Sequence, residues 1–474
     1  MTNPRNLACY SILFAIALAI RIFFFFNHGV AEVFGKYPHF AWQLAQGHDL
    51  GERLLDLSPV YLHAMAFAAR MGFTVGSLEA AQLFLGAVNT LLIFAIGSRL
   101  MGRLAAFLGG LAYACHGNIM ALESTFEPLV LLLFLSLACI LFLVMAQEAH
   151  NNFKLRLWFV AASALFAGLA VITKPNFGLF CLGTVCWFLI SFDHDLNLGK
   201  KLALALLFCT LAGMVILPVT ARNYLKFNDF ILVSDSYGRL FYNGNEGQAT
   251  GFFPQNLEGQ DNVPEGVTDP DHSHVFFRER ASLITGRDLK PSQSARFWFQ
   301  AGVQDLRAAP VRAVALWGQK LALFFHGYEN HLIDSAYWKY QWTSDKPFLT
   351  FRWIAALALL GVFLNFRRVG RLFPLYCLLF AFLVSCLVFM ANSRYRAPAL
   401  PALCLFAGSA LACMKEWVAD RNWKKIGAGL LVMALFSVGD SMLFRDPAAA
   451  HDRAFQPELR RQYHGDQPIC HSSG

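Results

Sequence analysis

The chain has 474 residues, of which 56% are hydrophobic and only 15% charged, with a formal net charge of +8 and a mean hydropathy of +0.45. A chain this apolar is no water-soluble globule, and lipid is its main solvent. Its Lys and Arg residues fall in short segments between apolar runs, not in a stripe that would track a phosphate backbone, which argues against nucleic acid as a partner.

The first apolar run, residues 7–26, follows the charged start Met1 to Arg5. It is about 20 residues long, enough to span a bilayer, and no small-residue cleavage site follows, so it reads as a retained span. Further runs at 78–98, 104–121, 127–147, 157–173, 176–192, 202–220, 350–366, 372–391, 398–414 and 426–443 complete the expected set. The expectation is an all-α polytopic membrane protein with about eleven transmembrane helices.

Orientation follows from the short connections. Arg5, Arg99, Arg103, Lys154, Arg156, Lys200, Lys201, Arg367, Arg368, Arg371, Lys415, Arg421, Lys424 and Lys425 all fall on one side, and the positive-inside rule makes that side cytoplasmic, together with the amino terminus. The chain divides into an N-terminal transmembrane module (1–220) with a first outer loop at 27–77, an outer region (221–349), C-terminal transmembrane helices (350–443) and a polar tail (444–474). In the first loop, Tyr37–Ala45 and Pro59–Met71 suit helices lying in the outer interface. Pro310–Phe325 carries Arg312, Gln319 and Lys320 and is expected outside the membrane. Ten of the eleven cysteines lie in apolar runs, without metal-ligand spacing, and read as small buried hydrophobes; Cys470 lies in the tail.

Ionisable groups at the edges of spans are candidate sites by default. Glu32 follows the first span, Glu123 and Glu127 precede the fourth, Lys174 separates the fifth and sixth, Arg222 closes the seventh, and Arg394 and Arg396 lie between the ninth and tenth. Each also has an ordinary reading. Glu127, just before Pro128, suits a helix amino terminus; Lys174 and Arg222 suit snorkelling side chains. Arg394 and Arg396 flank Tyr395 and together suit a phosphate clamp, with snorkelling as the alternative. Tyr242–Phe252 is rich in Gly and Asn, a turn composition that permits close backbone approach, but it lacks the nucleotide phosphate-loop pattern.

In order along the chain, Tyr37, Ala41, Leu44-Ala45-Gln46-Gly47, Ser58-Pro59-Val60-Tyr61, Glu127-Pro128-Leu129, Gly168 to Pro175, Pro218 to Tyr224, Gly244-Asn245, Lys320, Glu329 and Arg394 to Pro398 resemble the motifs of the bacterial polyprenyl-phosphate-sugar-dependent glycosyltransferases of the GT-C fold. That group contains protein O-mannosyltransferase-like and aminoarabinose-transferase-like enzymes. The resemblance implies a GT-C-like bundle in a bacterial inner (plasma) membrane, with its active site facing outward. It implies a polyprenyl-phosphate-sugar donor lipid, an envelope acceptor (lipid, glycan or protein) and an inverting transfer. Glu32 and Glu127 would be the acids; Lys174, Arg222, Arg394 and Arg396 the phosphate contacts; Tyr37, Asn245, Glu329 and Tyr395 the sugar or acceptor contacts. The group usually has an aspartate four residues before the loop tyrosine. Here that position is Val33, leaving Glu32 as its neighbour and Asp49, Glu52 and Asp56 as further carboxylates. Whether a divalent metal ion takes part is left open. A transporter or flippase of lipid-linked sugars is the rival class, although transporters place charges near the bilayer midplane, where these spans have few. A non-catalytic scaffold is the third.

Overall fold

The computed structural model describes residues 4–28, 36–193, 195–247, 249–251, 273–329, 339–340 and 342–443. Among these there is no strand; the only β-type pairing is an isolated parallel bridge between His116 and Leu349. Lipid offers a backbone no hydrogen-bond partner but itself, so each apolar run closes its own helical ladder.

The order is α1 (Pro4–His28), α2 (Lys36–Ala45), α3 (Pro59–Arg70), α4 (Val75–Leu100), α5 (Arg103–Ala114), α6 (Gly117–Glu123), α7 (Leu129–Glu148), α8 (Phe153–Thr173), α9 (Gly178–Ile190) and α10 (Leu198–Phe227). The second half holds α11 (Tyr237–Asn245), α12 (Ser273–Thr285), α13 (Pro291–Ala308), α14 (Pro310–Phe325), α15 (Phe351–Leu364), α16 (Val369–Val388), the single turn α17 (Ser393–Arg396), α18 (Leu400–Ala419) and α19 (Trp423–Leu443). Helices start where short polar side chains meet orphan amides: Asn152 accepts from Leu155 N and Asn197 from Lys200 N, both at 3.0 Å.

Helix occupies every expected span. Among the described residues, seven helices are long and apolar enough to cross a membrane, whereas Arg103–Ala114, Pro175–Ile190 and Phe351–Leu364 are shorter apolar helices. The run expected at 104–121 is not one rod. It breaks at Cys115–His116, where His116 pairs with Leu349 and Gly117 N donates to Leu349 O at 3.3 Å. The two helices expected in the first loop form, as α2 and α3.

α18 runs through the middle of the bundle, with Leu403, Cys404, Leu405 and Phe406 fully buried. Neighbours approach it through glycine: a Cβ on Gly361 would stand 1.9 Å from Phe406 O, and one on Gly408 would stand 2.2 Å from Ala105 O. Such close backbone contact is how helices associate where no hydrophobic force separates helix from lipid. Large exposed side chains such as Trp158, Leu206 and Leu217 mark the opposite, outward faces.

Two buried ion pairs tie the bundle near the first loop. Arg21 of α1 donates two hydrogen bonds to Glu123, at 2.9 and 3.1 Å, and Tyr113 adds a third at 2.7 Å. Gly86 leaves room for that carboxylate, because a Cβ there would lie 2.2 Å from it. Lys339 bonds Glu79 at 2.9 Å and Ser124 O at 2.8 Å. Together these pairs hold the end of α6, separated from α7 by five residues, against α1 and α4.

Candidate active site

At the end of the bundle where α7 begins and α8 stops, a cavity of about 320 Å³ opens. Its wall draws on the first loop (Lys36, Tyr37, Asp56), the start of α7 (Glu127), the α8–α9 break (Lys174, Asn176), the 233–243 segment (Ser234, Ser236, Arg239) and α17 (Arg394, Tyr395), with Phe277 of α12 also in the wall. Helices that alternate in direction bring these connections to the same end.

Local sequence explains each position. Glu127 sits before Pro128, the residue that caps α7, yet no side-chain capping bond forms there. Its carboxylate instead pairs with Arg394 at 3.0 Å. Lys174 precedes Pro175, and the proline ring drives the preceding residue out of the helical region; Lys174 has φ −149° and ψ 111° and ends α8. Its ammonium lies 4.3 Å from the centroid of the Tyr395 ring. Burial, and after it the Arg394 charge, pushes the Lys174 amine down to about 7. That places it close to half-protonated at neutral pH.

α17 separates two arginines that the sequence groups together. Asn392 caps the turn, accepting from Tyr395 N at 2.8 Å. Residues two apart on a helical turn do not share a face. Arg394 therefore faces the cavity, while Arg396 is buried behind it. Arg396 donates to Glu329 at 2.7 Å and to His326 O at 2.6 Å, and it stacks on Phe351 at 3.7 Å. Glu329 also accepts from Asn118 at 2.5 Å and lies 3.7 Å from His116. Arg394 and Arg396 do not converge on one point.

Other expected residues divide in the same way. Tyr37 lines the cavity, and its hydroxyl accepts from Ser58 N at 2.9 Å, fastening α2 to the start of α3. Asn245 does not line it. Its side chain donates to Val388 O at 2.8 Å and accepts from Lys320 at 3.0 Å, while Lys320 also bonds Phe389 O at 2.9 Å. Asn245 and Lys320 thus close the end of α16. The glycine-rich Tyr242–Phe252 segment starts inside α11, and the close approach its composition foretells is to backbone: a Cβ on Gly244 would be 1.8 Å from Phe389 O. Arg222 is half-buried, lies outside the cavity wall and bonds Asn223 at 2.7 Å. Glu32 and Val33 lie outside the described residues.

Asp56, one of the further carboxylates, emerges as a centre of the site. It accepts from Arg239 and Ser236, at 2.7 and 2.8 Å, and pairs with Lys36 at 3.3 Å. Asp235 stands nearby; burial, then the Asp56 charge, pushes its carboxyl up to about 6. Asp49 and Glu52 are turned away, paired with Lys226 and Arg278. Lys36, Asn176, Ser234 and Arg239 carried no signal in the sequence beyond lying beside motif residues. Among the described residues no three His, Cys, Asp or Glu side chains converge as a metal ion would need, and both carboxylates named in the wall are already engaged by cations.

Residues 56–221 match the profile of the dolichyl-phosphate-mannose-protein mannosyltransferase family. No curated protein matches the chain in sequence. Among solved structures, the Archaeoglobus fulgidus oligosaccharyltransferase tethered with an acceptor peptide is similar at a TM-score of 0.52 and 11% identity, over 94% of this chain and 55% of that one. The same archaeal enzyme, AglB, in complex with an inhibitory peptide and a dolichol-phosphate gives 0.51 and 12%, over 95% and 56%. ArnT from Cupriavidus metallidurans bound to undecaprenyl phosphate gives 0.39 and 15%, over 86% and 79%. The present chain spans about half the length of the oligosaccharyltransferase. The likeness to that enzyme shows a shared fold, the GT-C membrane fold.

Proposed function

We propose that the chain is an integral-membrane glycosyltransferase that moves a sugar from a polyprenyl-phosphate-linked donor to an envelope acceptor. The observation that carries this reading is the cavity itself, in which Glu127, Arg394, Lys174 and Tyr395 meet at one end of a GT-C bundle. The family match over 56–221 covers two of its walls, at Glu127 and at Lys174 and Asn176, and reaches Asp56 of a third. We further infer that this end faces the exterior of a bacterial inner membrane, since the opposite connections carry the excess of Lys and Arg.

Lys174 and Arg394 hold the donor phosphate, Arg394 with a planar fork and Lys174 as a point charge. Tyr37 and Tyr395 flank the sugar. A wall carboxylate, Glu127 or Asp56 with Glu32 as a third candidate from the first loop, takes the proton of the acceptor hydroxyl. The hydroxyl oxygen then bonds to the anomeric carbon as the bond from that carbon to the phosphate oxygen breaks, with inversion. The electron pair leaves on the lipid phosphate, where Arg394 and Lys174 meet the growing charge. The Arg396–Glu329 pair, with Asn245 and Lys320, supports the segments that carry the site. No step is routed through a metal.

The test is transfer by purified protein. In vesicles containing a radiolabelled polyprenyl-phosphate sugar, label moving to an acceptor supports the enzyme. Label that only changes leaflet supports the flippase, and donor binding with neither outcome supports a scaffold.

A further inference from the structure

α11 carries two asparagines, one on each side of the glycine that lies against Phe389. Asn245 is held at both ends of its amide by Val388 O and Lys320. Asn243 is only 7% exposed and lines the cavity, yet its carboxamide makes no hydrogen bond to any described residue. Among the described residues it is alone in this. The other buried amides, Gln82, Asn89, Asn118, Asn223, Asn365 and Asn392, each make at least one side-chain hydrogen bond. A buried donor and acceptor left unmatched are costly and call for a reason, and the exception is the amide in the cavity wall.

The fold sets this amide between the two halves of the proposed reaction. Arg239 and Asn243 are four apart on α11 and share a face, about 6 Å apart along its axis. Arg239 engages Asp56, a candidate base. One turn on, Gly244 packs against the end of α16, where Phe389 also lines the cavity. Asn176 donates to Ser385 at that same helix end, and the turn with Arg394 follows directly. A sugar carried on a phosphate at Arg394 and attacked from the Asp56 side has to pass this amide. We propose that Asn243 reads the donor sugar: its NH2 group donates to one ring hydroxyl, and its carbonyl oxygen accepts from another. This rests on the donor reading above and adds to it a neutral residue that selects the sugar, where Lys174 and Arg394 recognise phosphate alone. A site built to hydrogen-bond a hydroxyl discriminates against the analogue that lacks it, because the buried amide is then left unmatched.

The experiment measures binding to full-length protein in phosphatidylcholine nanodiscs. The probes are bare polyprenyl phosphate and polyprenyl phosphates bearing a hexose, an N-acetylhexosamine or a pentose. Wild type is expected to bind at least one sugar-bearing lipid more tightly than the bare one. Asn243→Leu, and independently the smaller Asn243→Ala, should cut that preference by about tenfold and leave the affinity for bare polyprenyl phosphate unchanged. The melting temperature of the ligand-free variants should be unchanged or higher, since no hydrogen bond within the protein is lost. A deoxy analogue lacking the hydroxyl in question should bind wild type and Asn243→Leu equally. A preference that survives both substitutions would overturn the proposal. So would equal weakening of bare and sugar-bearing lipids together with a lowered melting temperature, which would make the amide structural. Wild type that binds bare polyprenyl phosphate and every sugar-bearing probe equally would overturn it while leaving the phosphate contacts standing. Wild type that binds none of the probes, the bare lipid included, would bring down the donor reading and this inference with it.

Discussion

Glu127 and Arg394 face each other at 3.0 Å across the wall of the cavity, although one opens α7 and the other lies on a capped turn before α18. A carboxylate that the sequence offers equally well as a helix cap is thus committed to a guanidinium. Glu127→Gln keeps the volume and removes the charge. It should cut sugar transfer by roughly 100-fold or more if Glu127 handles the acceptor proton, with an unchanged melting temperature. A variant that retains full transfer in the lipid-donor assay moves that role to Asp56 or Glu32.

Lys174 should make donor binding depend on pH. Its amine lies near 7, below the ordinary 10.5, so the ammonium that attracts phosphate is present below neutrality and disappears as pH rises through 7. Polyprenyl phosphate affinity should fall between pH 6 and about pH 8.5 in wild type relative to Lys174→Arg, which stays charged, by up to about tenfold. The phosphate's own ionisation is common to both proteins, so the ratio isolates Lys174. Equal profiles would mean that the amine is not a phosphate contact.

The two arginines of α17 should fail in different ways. Arg394→Gln should abolish transfer in a protein that still folds. Arg396→Met leaves Glu329 an uncompensated buried charge, a loss of about 3–5 kcal/mol, and should appear as low yield and a lowered melting temperature. Pairing it with Glu329→Leu should recover part of the stability. Activity loss without thermal destabilisation in Arg396→Met would place that residue at the substrate instead.

Gly244→Ala adds one methyl group 1.8 Å from the Phe389 carbonyl oxygen. Backbone has to move to admit it, at a cost of about 1–3 kcal/mol or more. Because Phe389 lines the cavity, transfer should fall together with thermal stability; an unaltered melting curve would show that α11 and the end of α16 adjust freely.

The fold was legible because lipid imposes a demanding rule: about 20 apolar residues in a row, closed on themselves. Where that rule weakens, the reading did too, as at Cys115–His116, where a break needs Leu349 from far along the chain. Glu127, Lys174 and Arg394 were legible because charge interrupts apolar runs there. Lys36, Asp56 and Arg239 were not, since in a polar loop charge is ordinary and only the folded path shows which of several carboxylates turns inward. Arg394 and Arg396 were separable in principle: a helical turn between Asn392 and Pro398 would have pointed them apart, whereas a loose loop permits a clamp.

The cavity wall gathers side chains from Lys36 to Tyr395, and this has a consequence for biosynthesis. At an elongation rate of about 5–20 residues per second, roughly 20–70 s separate the synthesis of its first and last contributors. Throughout that interval the nascent chain carries an incomplete pocket into the membrane. The cavity wall is therefore complete only after the turn α17, the last element to contribute to it, has been made.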